Sequence, residues 1–163
     1  MNEECLILTT GGTIDKIYFD ALSSYEVGES EVGKLLVHGH VSLPFKIVSL
    51  MRKDSLELDD ADRALIRKTI EDSPNRMILV THGTDTMTET GKALAGIPGR
   101  TIVLTGALLP ARFRDNDAIF NIGFALAAVQ SMPEGVYICM NGRIFEPARV
   151  IKNREKNCFE EIS

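Results

Sequence analysis

Cysteine is scarce in this chain of 163 residues. Cys5, Cys139 and Cys158 are an odd number at wide spacings, which excludes a disulfide framework or a paired-cysteine metal site built from them alone. They read as reduced thiols, so a cytoplasmic protein is expected. Positive charge is also short, with 18 Lys and Arg against 23 Asp and Glu, a net charge of -5 and a pI near 5.2. Such a balance repels phosphate backbones, so no nucleic-acid partner is expected. Long apolar runs are missing: the longest apolar region, Ala118 to Met132, falls short of the roughly 20 residues that span a bilayer and is broken by Asn121, Gly123 and Gln130. The acidic start, Met1-Asn2-Glu3-Glu4, lacks the basic residues of an export signal. No membrane association is expected. His38 and His40 invite a metal reading, but zinc takes three or four protein ligands and the one further histidine is His82, so neither metal nor cofactor is expected.

What is present is globular. Hydrophobic residues make up 44% and charged residues 25%, as in ordinary folded domains, and a chain of this length buries roughly 70% of its unfolded surface. Short apolar runs at Cys5–Thr9, Phe45–Met51, Arg76–Thr81, Thr101–Thr105 and Gly135–Met140 predict five strands. Helical spacing recurs between them at Val32–Val37, Asp59–Glu71, Asp85–Ala95 and Asp117–Gln130, the second with Ala61, Leu65, Ile66 and Ile70 on one stripe. Continuous apolar strands alternating with helices predict an α/β, doubly wound, mainly parallel five-stranded sheet with helices on both faces. One domain is expected over residues 1–163. The least regular piece, residues 11–31, is rich in Gly, Ser, Asp and Glu and reads as a mobile loop.

Ligands of such sheets bind beyond the carboxyl ends of the strands, and those positions are polar here. After the first strand, Gly11 and Gly12 permit a tight turn or close approach of a ligand, and Thr13 offers a hydroxyl that either carries chemistry or bonds to backbone. The third glycine of a dinucleotide fingerprint is absent, and no P-loop lysine follows. After the third strand, Thr81-His82-Gly83-Thr84-Asp85-Thr86-Met87 places hydroxyls and a carboxylate at a strand–helix junction, where Asp85 is either a helix cap or a site residue. Ser55 is either a ligand contact or a loop hydroxyl. Arg112, Arg114, Asp115 and Lys152 read as surface charges in isolation.

Thr10-Gly11-Gly12-Thr13-Ile14 and His82-Gly83-Thr84-Asp85-Thr86-Met87, in this order, resemble the two signature motifs of the bacterial-type L-asparaginases, the asparaginase/glutaminase family. The similarity continues through Thr105-Gly106-Ala107-Leu108-Leu109-Pro110, through Asp117 to Asn121 and into Ala148-Arg149-Val150-Ile151-Lys152, and corresponds to the family's N-terminal domain. It implies hydrolysis of L-asparagine to L-aspartate and ammonia, with weaker action on L-glutamine, without metal or organic cofactor. Thr13 would be the nucleophile, and Tyr25 would close over the substrate and aid activation. Ser55 and Asp85 would hold the α-carboxylate and α-amino groups, while Thr84, Asp85 and Lys152 would remove a proton from a nucleophile. Gly12 and Gly83 would contribute backbone to the substrate site. A threonine hydroxyl needs such a neighbouring base.

Two departures stand out. Long members of the family have a second, C-terminal domain, whereas this sequence stops about ten residues after Lys152, so an open site is expected. Leu56 stands where the family has a polar residue, and it cannot hydrogen-bond to a substrate. These features keep two alternatives in view, a catalytically weak amino-acid-binding module or subunit and an amidase for another small amide. Leu108-Leu109-Pro110 with Phe113 and Phe120 is a candidate patch for self-association into a homodimer or higher oligomer.

Overall fold

The first strand, β1 (Cys5–Gly11), is buried along its whole length and sits inside a sheet rather than at its edge. It lies between β4 (Phe45–Lys53) and β5 (Met77–Thr81), parallel to both, so Thr9 is in register with Ser49 on one side and Thr81 on the other. The computed structural model describes residues 3–19 and 24–163 of the chain. β6 (Thr101–Thr105) and β7 (Gly135–Met140) continue the parallel set, and with β8 (Arg143–Phe145) the sheet order is β4-β1-β5-β6-β7-β8. All five predicted strands are present.

The predicted strand count is corrected to six by β8 (Arg143–Phe145), antiparallel to β7 at the edge. Its turn is Asn141-Gly142, both at positive φ (49° and 85°), the pairing that matches the twist of a tight hairpin. Two small antiparallel pairs lie outside the sheet. One joins β2 (Lys16–Phe19) to β3 (Ser24–Val27), the other β9 (Val150–Asn153) to β10 (Cys158–Glu161). Much of the segment expected as a mobile loop is paired in the β2–β3 hairpin, although 20–23 lie outside the described residues.

Side-chain alternation along the strands divides the core into two layers. Leu6, Leu8, Ile78, Val80, Ile102 and Leu104 face one side, where Ile66 and Ile70 of α2 (Asp60–Asp72) and Met87 of α3 (Met87–Ala93) cover them. Cys5, Ile7, Leu79 and Val103 face the other, covered by Leu36 of α1 (Val32–His38) and by Ile122, Ala125 and Val129 of α4 (Ala118–Ser131). Each fully buried aliphatic side chain contributes about 1.5–3 kcal/mol, and both faces supply several. Of the predicted α2 stripe, Ile66 and Ile70 are buried while Ala61 and Leu65 are exposed, because at about 100° per residue the two pairs lie on different faces of the helix.

Local signals start the helix that follows β4. The Asp59 carboxylate accepts from the Asp62 amide at 2.9 Å and Asp62 returns a bond to the Asp59 amide at 3.1 Å, a reciprocal cap. Asp62 also meets Lys53 Nζ at 2.8 Å, tying the helix start to the end of β4. Counted as parallel strands in chain order, the sheet runs 2-1-3-4-5, so the connections reverse direction between β1 and β5. At such a switch point the loops leaving the two strands diverge and open a crevice.

Candidate active site

The loops leaving β1 and β5 touch backbone to backbone. Gly12 sits at φ 89°, and a Cβ there would lie 2.5 Å from the Gly83 Cα and N. At Gly83 a Cβ would lie 2.6 Å from Ser55 Cβ. These glycines serve close approach, and any larger residue would push the three loops apart. The Thr10 hydroxyl donates to the Thr81 carbonyl at 2.7 Å, and the Thr86 hydroxyl donates to the Ser55 carbonyl at 2.7 Å. Ser55 is buried, and its Oγ accepts from the Thr86 amide at 3.3 Å. Leu56 beside it is exposed. Thr13 and Thr84 thus follow directly from two glycines in contact.

Behind this contact lies a charged cluster. Lys152 is within β9, and its side chain is 8% exposed, in contrast to its reading as a surface charge. Its Nζ donates to Thr84 Oγ1 at 2.5 Å and to Asp85 Oδ1 at 3.1 Å. Asp85 Oδ1 also lies 3.7 Å from Arg154 Nε. The Asp85 side chain makes no cap; Thr86 occupies the position before α3. A lysine withdrawn from water needs its partners in good geometry, and β9 supplies them because Val150 and Phe159 of the β9–β10 pair are anchored in the core.

On the open side, Thr13, Lys16, Tyr25, Pro110 and Phe113 line a cavity of about 210 Å³. Tyr25 is 52% exposed, with its ring centroid 6.1 Å from that of Phe113 and 5.3 Å from that of Tyr18. The base of the hairpin that carries Tyr25 is fixed by buried charge. Asp15 Oδ1 accepts from the Glu31 amide at 2.9 Å, the Asp15 carbonyl accepts from the Gly28 amide at 2.9 Å, and Arg112 Nε meets Glu31 Oε1 at 2.6 Å. Arg112 is exposed, as are Arg114 and Asp115, in keeping with their reading as surface charges, but it pairs with the buried carboxylate of Glu31. Burial pushes the Asp15 carboxyl up to about 7.

The remaining wall is organised by Asp117, whose carboxylate accepts from the amides of Leu108 and Leu109 and from the side chains of Asn121 and Asn141. These donors hold it below the usual carboxylate range against the opposing effect of burial, which is the largest single influence. Of the predicted patch, Leu109, Phe113 and Phe120 are exposed, while Pro110 is buried. His38 and His40 are exposed and His82 is fully buried; among the described residues no group of three His, Cys, Asp or Glu side chains is placed to hold a metal ion. A cavity of about 450 Å³ at the opposite end of the sheet, lined by Glu3, Pro74, Arg76 and Gly99, offers no nucleophile. Asp15 and Lys16 were not marked by the sequence, where their adjacency to Thr13 was the available signal, and Phe113 and His82 were marked only within an apolar patch and a motif.

A parallel sheet with helices on both faces, with a hydroxyl and a Thr–Asp–Lys cluster on its switch-point loops, defines the general class of the chain as a doubly wound α/β protein. The family is settled by comparison. The sequence model described as Asparaginase, N-terminal, matches residues 4–162. The chain belongs to the asparaginase family, in the region of its N-terminal domain. It is 26% identical over 166 residues to an L-asparaginase of Thermococcus kodakarensis, covering 97% of this chain and 51% of that relative. Among solved structures, the thermostable L-asparaginase from Thermococcus kodakarensis superposes with a TM-score of 0.85 at 25% identity, over 98% of this chain and 51% of that one. L-asparaginase I from Vibrio cholerae shares the fold with a TM-score of 0.85 at 24% identity, over 99% and 52%. The chain spans about half the length of the relatives it matches.

Proposed function

We propose that the chain is an amidohydrolase that converts L-asparagine and water to L-aspartate and ammonia, with L-glutamine as a weaker substrate. The observation that carries this reading is the Lys152–Thr84–Asp85 cluster, at 2.5 and 3.1 Å, on the loop whose Gly83 packs against Gly12, the residue before Thr13. In this reading Thr13 Oγ attacks the side-chain amide carbon, its proton passing toward the leaving nitrogen with help from the Tyr25 hydroxyl across the shared cavity. Collapse breaks the C–N bond, releases ammonia and leaves an ester on Thr13. Water then attacks the ester, its proton passing through Thr84 Oγ1 to Lys152 Nζ; as the bond from the carbonyl carbon to Thr13 Oγ breaks, that proton returns to Thr13 Oγ, and aspartate leaves with both residues restored. Ser55 and Asp85 orient the amino-acid end of the substrate. Three free thiols support a cytoplasmic location.

The test is ammonia release from millimolar L-asparagine, L-glutamine or no substrate. Lys152→Met removes the basic atom and is expected to lower kcat about 10²- to 10⁴-fold while aspartate still raises Tm. Unchanged turnover in that variant would remove Lys152 from the mechanism. Exposed Leu56 favours one other reading, an amino-acid-binding module; ligand-dependent stabilisation without any ammonia from the wild type would establish it. Self-association through exposed Leu109, Phe113 and Phe120 belongs to the proposal. Sedimentation at micromolar concentration is expected to give a multiple of 18.0 kDa, and a monomer mass would refute it.

A further inference from the structure

His82 lies in the second motif but has no part in the mechanism above. It is fully buried, beneath the loop that carries Thr84 and Asp85. Its Nδ1 is 2.6 Å from the Gly83 carbonyl oxygen and its Nε2 is 2.7 Å from Thr90 Oγ1. A carbonyl accepts only, so Nδ1 carries the proton and Nε2 is left to accept from the Thr90 hydroxyl. The Thr90 oxygen in turn accepts from Arg63 Nε at 3.2 Å. The bonds therefore run in one direction, from Arg63 on α2 through Thr90 on α3 and His82 to the Gly83 carbonyl, with each member satisfied.

Among the described residues no peptide bond is cis. In a trans peptide the C=O and N–H point to opposite edges of one plane. A Gly83 carbonyl drawn inward to His82 therefore turns the Thr84 N–H outward, to the crevice side of the loop. Glycine at position 83 leaves this peptide otherwise easy to rotate, since no side chain fixes it. We propose that His82 is a positioning residue: by holding the Gly83 carbonyl it aims the Thr84 amide at the oxygen that becomes negative when the substrate amide is attacked. This rests on the hydrolytic reading of the site. Donors aimed at a developing oxyanion act in the transition state more than in the ground state, so the expected signature is in kcat rather than KM.

Two substitutions divide the imidazole into its halves. His82→Asn keeps a donor where Nδ1 stands and lacks the reach to Thr90, while His82→Gln reaches Thr90 and loses the short donor to Gly83. With L-asparagine as substrate, His82→Gln is expected to lower kcat about 10²-fold, the effect of removing one oxyanion donor, with KM within about threefold. His82→Asn is expected to recover most of that loss. Thr90→Val, one step further from the site, is expected to lower kcat about tenfold and serves if either histidine variant fails to fold. Equal kcat in the Asn and Gln variants, or a loss that follows Tm alone, would overturn the proposal; so would unchanged kcat in Thr90→Val. A ligand-free readout is the carbonyl ¹³C shift of Gly83, expected to move in His82→Gln and to stay near the wild-type value in His82→Asn. Absence of wild-type turnover would sink the hydrolytic reading alone, whereas a Gly83 carbonyl shift indifferent to both substitutions would sink the role of His82.

Discussion

Ammonia release from L-asparagine is expected to fall by about 10⁵-fold or more in Thr13→Ala, the scale seen when a hydrolase loses its nucleophile, with Tm unchanged to within about 2 °C. The two halves of this result have separate causes. Catalytically, the substitution deletes the atom that forms the ester, while the Tyr25 hydroxyl in the same cavity and Thr84 Oγ1, bonded to Lys152, serve proton transfer in the proposed mechanism. Structurally, Thr13 is only half-buried, it starts a single short turn over Thr13–Asp15, and no described residue hydrogen-bonds to its hydroxyl. Truncation therefore leaves neither a buried cavity nor an orphaned partner, the usual sources of large destabilisation. Thr13→Ser keeps the hydroxyl and is expected to retain turnover within about a hundredfold, since only the orientation given by the methyl is lost. Hydrolysis by Thr13→Ala at the wild-type rate would assign the nucleophile elsewhere.

The strands were legible because each is a contiguous apolar run. Leu6 to Leu8, Met77 to Val80 and Thr101 to Leu104 carry their burial in their own composition, and parallel pairing follows from the helices between them. The motifs at Gly12 and Gly83 were legible as turns, yet their physical reason is a contact between backbones that sequence spacing does not contain. Position 152 shows the limit most clearly. As a lone lysine it reads as surface charge; its burial depends on partners 67 and 68 residues away and on Phe159 pinning the following strand. The β2–β3 hairpin escaped for a similar reason. Lys16-Ile17-Tyr18 and Ser24-Tyr25-Glu26-Val27 are weakly patterned, and their pairing is stabilised from outside by Arg112–Glu31 and by the Asp15 bond to the Glu31 amide. The short β8 was available from Asn141-Gly142, which marks a hairpin between Met140 and Arg143.

Asp15→Asn is expected to raise Tm by about 10 °C at pH 8 and to leave it nearly unchanged at pH 4. Burial lifts the Asp15 carboxyl from 3.8 to about 7, opposed by the Glu31 amide and aided by the Glu31 charge, with Ser30 and Arg52 lowering it slightly. A folded-state value above the unfolded one means that the folded protein holds a proton the unfolded chain has lost, so stability from this group is present below pH 3.8 and is lost as pH rises to about 7. The loss is about 4 kcal/mol at roughly 1.4 kcal/mol per unit, and for a chain of this size that is on the order of 10 °C. Asn keeps the oxygen that accepts from Glu31 and has no charge to bury. His82 acts in the opposite sense. Burial and the nearby Arg63 lower it from 6.5 to about 4, against the pull of the Gly83 carbonyl and of Glu89, so the unfolded chain takes up a proton that the folded state refuses, and stability is lost as pH falls from 6.5 to about 4. Between those limits folding gains a proton at Asp15 and sheds one at His82, and the two slopes cancel. The wild type is therefore expected to show little change in Tm from these groups between about pH 4 and 6.5, and Asp15→Asn to expose the His82 slope as a Tm that climbs across that same range. A constant Tm difference between the two proteins at every pH would mean that Asp15 is not titrating in its buried site, and that the hairpin over Thr13 is held by geometry without a proton.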